Sequence, residues 1–414
     1  MRLAIYDNLA NNAYIQAKAY HRRGRQLDVV QSPLDRFAMS DPRWEDSDLE
    51  LPTDGLLASA LPDEPVAGFV RQLPAAPPGP RTAPLRAALR PASLGRAVRA
   101  GGPLAAWFAG SHGRAIETLR EYDCVLGYGV GPVVAHLAGV PCVGIAYGGD
   151  LCVLPFSDEG AGVSRFDATA ARLQRAGYVA ARRILVGDPG FRPFAERLGH
   201  GHKTVFIPTI VDTEKYSPGD DAELRESLLG GRAGPLAFVP ARQDWHWKGS
   251  DNMLRGFAEV TADHPEALLV CAGWGADLER SLALADDLAL GERVRFLPHA
   301  MSKTRLLRHY RASDVVLDQF GVLGSYGTSA LEAMSAGVPL LIHLERKRFE
   351  SVFDEFPPVG NCKEPGEIAD WLRRLFEDSG ERARLGADGR RWVVEHHGDA
   401  LVDRQVEVIE AAMA

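Results

Sequence analysis

The chain has 414 residues, of which 46% are hydrophobic and 25% are charged, a composition typical of a soluble globular protein with two or three domains. Its net charge of −8 argues against a protein that binds nucleic acid through bulk electrostatics. The five cysteines form no CxxC pair, which favours a reducing cytosol in which each thiol is a small core residue.

The N-terminal residues MRLAIYDNLANN lack the apolar stretch of a signal peptide, so we expect a cytoplasmic protein. Short β-rich runs then alternate with helical patterns along almost the whole chain, which predicts parallel sheets with helices on both faces. The predicted strands of the first half are 2–6, 27–30, 124–128, 142–147, 183–187 and 204–209. Those of the second half are 235–240, 267–273, 293–298, 314–319 and 339–343.

Two such series, joined near the polar stretch 217–224, predict two doubly wound domains that face each other. We place the first domain at 1–215, the second at 216–392, and a C-terminal helix that packs back on the first domain at 393–414. Ligands of such sheets bind at the carboxyl ends of the strands, so the cleft between the domains is the expected site.

Residues 65–116 form an unusual insertion in the first domain, because they contain seven arginines and no acidic residue. The favoured interpretation is a solvated insertion whose arginines lie over alanine and leucine. The alternative is a surface that docks on an anionic membrane or on a phosphate-bearing acceptor. The arginines are Arg71, Arg81, Arg86, Arg90, Arg96, Arg99 and Arg114.

Residues 124–149 contain no Asp, Glu, Lys or Arg and are long enough to span a membrane. Seven glycines together with Pro132 and Pro141 break this segment into strand, short helix and strand. A buried βαβ unit is therefore the preferred prediction.

The loop after the strand at 235–240 carries two cations, Arg242 and Lys248. A bidentate guanidinium and a compact ammonium at a strand end suit a diphosphate. An ordinary surface loop with two cations is the alternative.

The stretch 324–341 predicts a short helix at 328–336, entered from a glycine-bearing loop and followed by a buried strand. Ser329 and Glu332 have the spacing of a capping box. A carboxylate beside a helix N-terminus could equally accept hydrogen bonds from the two hydroxyls of a ribose. The residues of this stretch alone leave both roles open.

These motifs together resemble glycosyltransferase family 4, whose members are retaining, nucleotide-sugar-dependent enzymes of the GT-B fold. The resemblance runs through Arg242 with Lys248-Gly249, the segment 207–218, the segment 273–300 and the segment 325–339. It is strong from about 200 to 345 and looser before residue 200. It implies a first domain on the acceptor side and a second domain that binds the nucleotide sugar.

The resemblance also implies roles for individual residues. Arg242 and Lys248 look like the diphosphate clamp, and Glu332 is similar to the glutamate that binds the ribose, a role that is compatible with capping. The nucleobase edge is expected at Phe296 and Leu297. The helix N-terminus at Gly327, Thr328 and Ser329 is also expected to bind the nucleotide-sugar donor. The expected contacts to the sugar or the acceptor are Asn11, Asn12, Tyr147, Asp150, Asp318, Gln319, Gly324, Ser325 and Tyr326.

Three departures from the family pattern concern the sugar rather than the nucleotide. The first glutamate of the family's pair is expected eight residues before Glu332, where this chain has Gly324, so Asp318 or Gln319 is a candidate substitute. Tyr147 stands where the family often has a histidine, and an asparagine loop at residues 11 and 12 replaces glycines.

The expected reaction is transfer of a sugar from a nucleoside diphosphate to an acceptor hydroxyl, with retention and without a metal or other cofactor. Arg242, Lys248 and the helix amides would stabilise the leaving charge. The DxD match at Asp46 and Asp48 is expected to be a solvated turn rather than a metal site. The alternatives are an enzyme similar to a non-hydrolysing sugar-nucleotide epimerase, and a catalytically silent protein that binds nucleotide sugars.

The acceptor is expected to be part of a cell-envelope glycan, a glycolipid or a natural product, and to be phosphate-bearing or lipid-linked in some of these cases. Peripheral membrane contact through 65–116 is part of that hypothesis. A nucleic-acid partner is not expected.

Overall fold

The computed structural model describes residues 1–32, 37–53, 56–74, 91–101, 103–160 and 162–414. These residues form two compact units. The first unit comprises Met1–Pro42, Pro62–Ile210 and Asp399–Ala414, and the second comprises Arg43–Leu61 and Val211–Gly398. The segment Arg43–Leu61, which the sequence assigned to the first domain, therefore belongs to the second unit.

Strands and α-helices alternate along the described residues. In chain order the strands are β1 (Leu3–Tyr6), β2 (Asp28–Gln31), β3 (Glu50–Pro52), β4 (Val70–Gln72), β5 (Cys124–Gly127), β6 (Cys142–Ala146), β7 (Arg183–Val186), β8 (Thr204–Phe206), β9 (Leu236–Val239), β10 (Leu268–Ala272), β11 (Val294–Leu297), β12 (His299–Met301), β13 (Val315–Leu317), β14 (Leu340–Ile342) and β15 (Gly360–Asn361). The helices of the first half are α1 (Asn12–Arg22), α2 (Pro42–Asp46), α3 (Pro91–Gly101), α4 (Pro103–Ser111), α5 (Gly113–Leu119), α6 (Gly131–Ala138), α7 (Gly149–Cys152), α8 (Arg165–Ala180) and α9 (Arg192–Arg197). Those of the second half are α10 (Ala222–Leu229), α11 (Ser250–Val260), α12 (Leu278–Asp287), α13 (Lys303–Ala312), α14 (Thr328–Ser335), α15 (Arg346–Phe349), α16 (Pro365–Glu377), α17 (Ser379–His397) and α18 (Leu401–Met413).

The first unit is built on a parallel sheet whose described strands have the order β4-β2-β1-β5-β6-β7-β8. Successive side chains of a strand point to opposite faces, so Leu3 and Ile5 enter one core cluster and Ala4 and Tyr6 enter another. Helix α18 packs on the first of these clusters through residues that include Val402 and Ile409. Helix α18 begins at Leu401, and the preceding helix α17 ends at His397. The predicted C-terminal helix at 393–414 therefore starts too early.

The segment 124–149 is the βαβ unit that the sequence predicted. Strand β5, helix α6 and strand β6 follow one another, and Gly139 ends α6 in the left-handed conformation. None of the described helices is both long and apolar enough to cross a membrane. Cys124 and Cys142 are buried in this unit, as predicted, and burial raises the pKa of the Cys124 thiol to about 11.

The arginine-rich insertion contributes β4 and the helices α3, α4 and α5. Arg71 forms an exposed ion pair with Glu121, and Arg96 donates a hydrogen bond to the carbonyl oxygen of Leu137 at 2.7 Å. Arg81, Arg86 and Arg90 lie outside the described residues. Docking of this segment on a membrane or acceptor remains a prediction.

The second unit has a parallel sheet whose described strands have the order β11-β10-β9-β13-β14-β15. Its core contains apolar side chains of the central strands and of helices α11 and α16, with Phe257 and Ile368 completely buried. Strand β3 forms an antiparallel pair with β12, in which Leu51 is opposite Ala300. This pairing attaches the segment Arg43–Leu61 to the second unit.

Candidate functional site

The candidate site lies at the carboxyl ends of three neighbouring strands of the second unit. Arg242 and Lys248 lie in the loop after β9, Asp318 and Gln319 follow β13, and His343 follows β14. Since β13 lies between β9 and β14, parallel strand ends bring these segments to one edge of the sheet.

Gly249 shapes the loop that carries the two cations. It is the N-cap of α11 and has a φ of +65°, and a Cβ atom there would lie 2.7 Å from the carbonyl carbon of Phe320. The carbonyl oxygen of the neighbouring Lys248 accepts a hydrogen bond from the backbone N–H of Phe320 at 2.8 Å. Glycine is therefore needed for the close approach of this loop to the segment after β13.

The two predicted clamp cations lie at this edge, and both have partners. Lys248 Nζ lies 2.6 Å from Gln319 Oε1 and 3.5 Å from Asp318 Oδ1, and its side chain is 14% exposed. Arg242 pairs with Asp244 at 2.9 Å and is 39% exposed. A bound diphosphate would have to replace or share these partners, so the clamp remains a prediction.

Helix α14 begins earlier than the capping-box prediction requires. Its N-cap is Gly327, whose backbone is extended, and Ser329 is already the second helical residue. The Ser329 hydroxyl donates a hydrogen bond to Asp318 Oδ2 at 3.2 Å. The capping box is therefore wrong, because the backbone of Gly327 starts the helix and Ser329 contacts the neighbouring strand end.

This helix N-terminus lies beside Lys248. A Cβ atom on Gly327 would be 3.7 Å from Lys248 Nζ and 3.8 Å from Asp318 Oδ2. The N–H groups of the first turn have no partners within a helix, and the helix dipole favours an anion there. The ammonium and the helix N-terminus each favour an anion, and the Asp318 carboxylate lies beside both of them.

Glu332 lies on α14 and is completely buried. Its Oε1 lies 2.5 Å from Lys303 Nζ, and its Oε2 accepts a hydrogen bond from the Tyr310 hydroxyl at 3.3 Å. Burial raises the pKa of Glu332, and the Lys303 ammonium partly offsets this. Ribose binding by Glu332 stays a prediction, and it requires this carboxylate to exchange at least one of its partners for a hydroxyl.

No motif in the sequence indicated a role for Lys303. It is the first residue of α13, directly after β12 and the N-cap Ser302. Because Lys303 and Glu332 are far apart along the chain, no local spacing indicates their contact.

The position expected for the family's first glutamate is occupied by a glycine in the left-handed conformation. Gly324 has a φ of +57°, and a Cβ atom there would lie 3.1 Å from Glu345 Cβ and 3.5 Å from His343 Nε2. The proposed substitute Gln319 uses its amide to donate to the carbonyl oxygen of Ser325 and to accept from Lys248. Asp318 is buried between Ser329 and Lys248.

The other two residues of this segment that were expected to contact the sugar or the acceptor are Ser325 and Tyr326. The Tyr326 ring packs near Phe349, with ring centroids 5.2 Å apart, and near Trp392. Its neighbour Ser325 is buried. Tyr326 therefore belongs to an aromatic cluster, and its assignment to the sugar is not supported.

The predicted nucleobase edge is on β11. The carbonyl oxygen of Leu297 accepts a hydrogen bond from the N–H of Gly273 at 2.9 Å, while the Phe296 side chain packs against the core of the second unit. The Leu297 carbonyl oxygen is thus already engaged. Contact with a nucleobase remains a prediction for the other backbone groups of Phe296 and Leu297.

In the first unit, the asparagine loop is held by its own side chains. Asn11 is fully buried; its Nδ2 donates to the carbonyl oxygen of Asp41, and its Oδ1 accepts from Asn8 Nδ2. Asn12 Nδ2 donates to the carbonyl oxygen of Leu9. These amides fix the entry to α1, so the prediction that they contact a ligand is not supported by their geometry.

The Asp150 carboxylate also accepts hydrogen bonds from the protein backbone. Its Oδ1 accepts hydrogen bonds from the N–H groups of Tyr147 and Gly148, both at 2.9 Å. Burial raises its pKa to about 6, although these backbone N–H groups act in the opposite direction. Tyr147 packs edge-on against Tyr128, with ring centroids 5.2 Å apart.

The second aspartate of the DxD match, Asp48, pairs with two arginines. Asp46 ends helix α2, and the Asp48 carboxylate lies 3.0 Å from Arg305 Nε and 3.5 Å from Arg308. Such pairing suits a surface ion-pair network. Because Asp46 is helical, the motif is not wholly a turn, and the expectation that it holds no metal stays a prediction.

Comparison with known proteins agrees with this architecture. Residues 224–392 match the family model described as glycosyl transferases group 1. A D-inositol 3-phosphate glycosyltransferase of Mycobacterium sp. (strain JLS) is 36% identical over 192 residues, which are 45% of this chain and 41% of that relative. A GDP-mannose-dependent alpha-(1-6)-phosphatidylinositol monomannoside mannosyltransferase of Mycolicibacterium smegmatis is 26% identical over 210 residues, which are 49% of this chain and 55% of that relative. The chain thus matches about half the length of these relatives.

Solved structures resemble the whole chain at lower sequence identity. Anabaena Alr3699/HepE in complex with UDP-glucose aligns with a TM-score of 0.64 at 16% identity, covering 99% of both chains. Two parallel-sheet units of this topology, together with the family match, identify the architecture. The chain has the GT-B fold, and its residues 224–392 are similar to the group 1 glycosyl transferases.

Proposed function

We propose that this protein is a glycosyltransferase that moves a sugar from a nucleoside diphosphate to an acceptor hydroxyl. The observation that carries the proposal is the placement of Arg242, Lys248 and the N-terminus of α14 at one edge of the second sheet. Cations and helix amides at a strand edge suit a diphosphate and the charge that develops when it leaves. We include retention of configuration and independence of metal in the proposal, following the family resemblance.

Lys248 has the central role in this mechanism. Its ammonium lies beside Gly327 and contacts the neutral amide of Gln319, so it can turn from that amide to a phosphate oxygen without giving up a close ion pair. Asp318, at 3.5 Å, positions the same ammonium and takes the Ser329 hydroxyl. One preorganised donor of this kind can contribute about 3–4 kcal/mol to stabilisation of a leaving oxyanion.

The relatives suggest which donors to test. Anabaena Alr3699/HepE was solved with UDP-glucose, and the mycobacterial mannosyltransferase is described as GDP-mannose-dependent. We therefore consider UDP-glucose and GDP-mannose as the first donors. The names of the relatives suggest inositol 3-phosphate or phosphatidylinositol monomannoside as acceptors to test.

A cavity of about 460 Å³ in the first unit supports an acceptor site there. It opens at the carboxyl end of β1 and is lined by residues that include Asp7, Ser32, Phe37 and His112. Asp7 has a φ of +73°, a left-handed backbone that non-glycine residues seldom adopt outside functional or tightly constrained positions. The carboxylate, hydroxyl and imidazole of this cavity are suited to bind acceptor hydroxyls.

The clamp is tested by calorimetric titration of UDP and GDP into the wild-type protein and the Lys248→Ala variant. We expect the variant to bind the preferred nucleotide about tenfold less tightly or worse, because a charge-assisted contact to phosphate is lost. Arg255→Ala is the matched control, since Arg255 is an exposed cation on the helix that follows the same loop. Equal affinity of Lys248→Ala and wild type, or no binding of either nucleotide to the wild type, would overturn the assignment.

Transfer itself separates this proposal from its alternatives. Incubation with a nucleotide sugar and an inositol-containing acceptor should give a glycoside whose anomeric configuration, measured by NMR, is that of the donor. An inverted anomer contradicts retention, and epimerised nucleotide sugar without transfer indicates an epimerase.

A further inference from the structure

Two side chains beside the diphosphate end of the site have no assigned role. His343 follows β14 directly, and Glu345 lies two residues later. The N–H of His343 donates to the carbonyl oxygen of Gln319 at 2.8 Å, and the N–H of Glu345 donates to that of Gly324 at 2.8 Å. Both residues are thus anchored through their backbones to the segment that follows β13.

Their side chains are available to a ligand. Among the described residues, neither the His343 imidazole nor the Glu345 carboxylate forms a hydrogen bond or a close ion pair, and Glu345 is exposed while His343 is half-buried. The charged groups that act on His343 are Lys363, Glu345, Glu367 and Arg348. Burial lowers the pKa of His343 and so favours the neutral imidazole, which offers one donor and one acceptor.

Gly324 brings both side chains to one place. A Cβ atom at this residue would lie 3.5 Å from His343 Nε2 and 3.1 Å from Glu345 Cβ. The left-handed backbone of Gly324 thus lets the loop pass close to both residues, with His343 Nε2 and the Cβ atom of Glu345 beside the position where a side chain at residue 324 would begin.

The position of this pair along the sheet edge indicates what it contacts. The described strand order runs from β11, where the nucleobase is expected, through β9 with its two cations, to β13 and β14. A nucleotide sugar laid along this edge with its diphosphate at Lys248 therefore has its sugar on the β14 side. Gln319 links the two parts, because its side chain contacts Lys248 and its carbonyl oxygen accepts from the His343 N–H.

We propose that His343 and Glu345 bind the hydroxyl groups of the donor sugar and so determine which sugar is accepted. The proposal rests on the function proposed above. A carboxylate can accept hydrogen bonds from two adjacent hydroxyls, and a neutral imidazole can donate to or accept from a third. Their combination suits an uncharged hexose and disfavours a sugar that carries its own carboxylate near Glu345.

The test compares each nucleotide with its sugar nucleotide. UDP, UDP-glucose, GDP and GDP-mannose are titrated by calorimetry into the wild type, His343→Ala and Glu345→Gln. We expect the affinity of both variants for the accepted sugar nucleotide to fall about tenfold, while their affinity for the nucleoside diphosphate alone stays within about twofold of wild type. Glu345→Gln keeps the size of an exposed side chain, so this arm remains informative even where His343→Ala lowers the melting temperature.

Glu350→Gln and His200→Ala are the matched controls. Glu350 is an exposed glutamate on the next turn of the same segment, and His200 is a half-buried histidine of the first unit. Equal losses for nucleotide and sugar nucleotide in His343→Ala and Glu345→Gln, or no loss for either, would overturn this inference while the proposed function stands. If the wild type binds none of the four ligands, both the proposed function and this inference are wrong.

Discussion

The Glu332 carboxylate depends on residues that are distant in the chain. It contacts Lys303, and a second fully buried glutamate, Glu45, pairs with Lys215 at 2.6 Å in the same unit. Glu45 also raises the pKa of Glu332, after burial itself. Two carboxylates thus share a buried region with two ammonium groups, and removal of one charge leaves its partner poorly compensated.

We expect Glu332→Gln to lower the free energy of unfolding by about 3 kcal/mol, because the Lys303 ammonium loses its closest partner in a buried position. Chemical denaturation measures this change. Glu292→Gln serves as the control, since Glu292 is 91% exposed and forms a surface pair with Arg232. A Glu332→Gln protein as stable as wild type would mean that the pair with Lys303 contributes little to stability and would contradict this prediction.

At the scale of secondary-structure elements, the apolar parallel strands were predictable and the short ones were not. Strands such as β5 and β10 are continuous buried runs, so their composition alone marks them. Strands β3 and β12 have three residues each and exist because they pair with each other across most of the chain. Local sequence carries no signal for that pairing.

Asp150, in the short helix α7 after β6, provides a pH-dependent prediction. Asp150 has a pKa raised to about 6 from an ordinary value of 3.8, so the folded protein binds its proton more tightly than the unfolded chain does. The contribution of Asp150 to stability is therefore fully present below pH 3.8 and is lost as the pH rises toward 6.

We expect the unfolding free energy of the wild type to fall by up to about 3 kcal/mol relative to Asp150→Asn between about pH 4 and pH 7. Denaturant titrations of both proteins at several pH values measure this difference. Asp123→Asn on a surface strand end is a suitable control. Parallel pH profiles for wild type and Asp150→Asn would contradict the raised pKa.

At the scale of the whole molecule, the charge stabilisation that we propose comes from the chain itself. Arg242, Lys248 and the N-terminus of α14 supply positive potential where a diphosphate would lie. We therefore expect glycosyl transfer to continue at an unchanged rate in EDTA. Loss of transfer that magnesium or manganese restores would show that a metal ion carries this charge.

Local patterns in the amino-acid sequence were enough to predict the fold class and the location of the two cations. Strands and helices alternate visibly along the chain, and in a parallel sheet the residues after a strand must lie at the carboxyl edge, so Arg242 and Lys248 could be placed there from the sequence. The pairing of Lys303 with Glu332, the attachment of Arg43–Leu61 to the second unit, and the position of His343 and Glu345 beside Gly324 emerged only from the folded chain. The physical reason is that these contacts join segments that are well separated along the chain, and their geometry follows from packing rather than from any short spacing of residues.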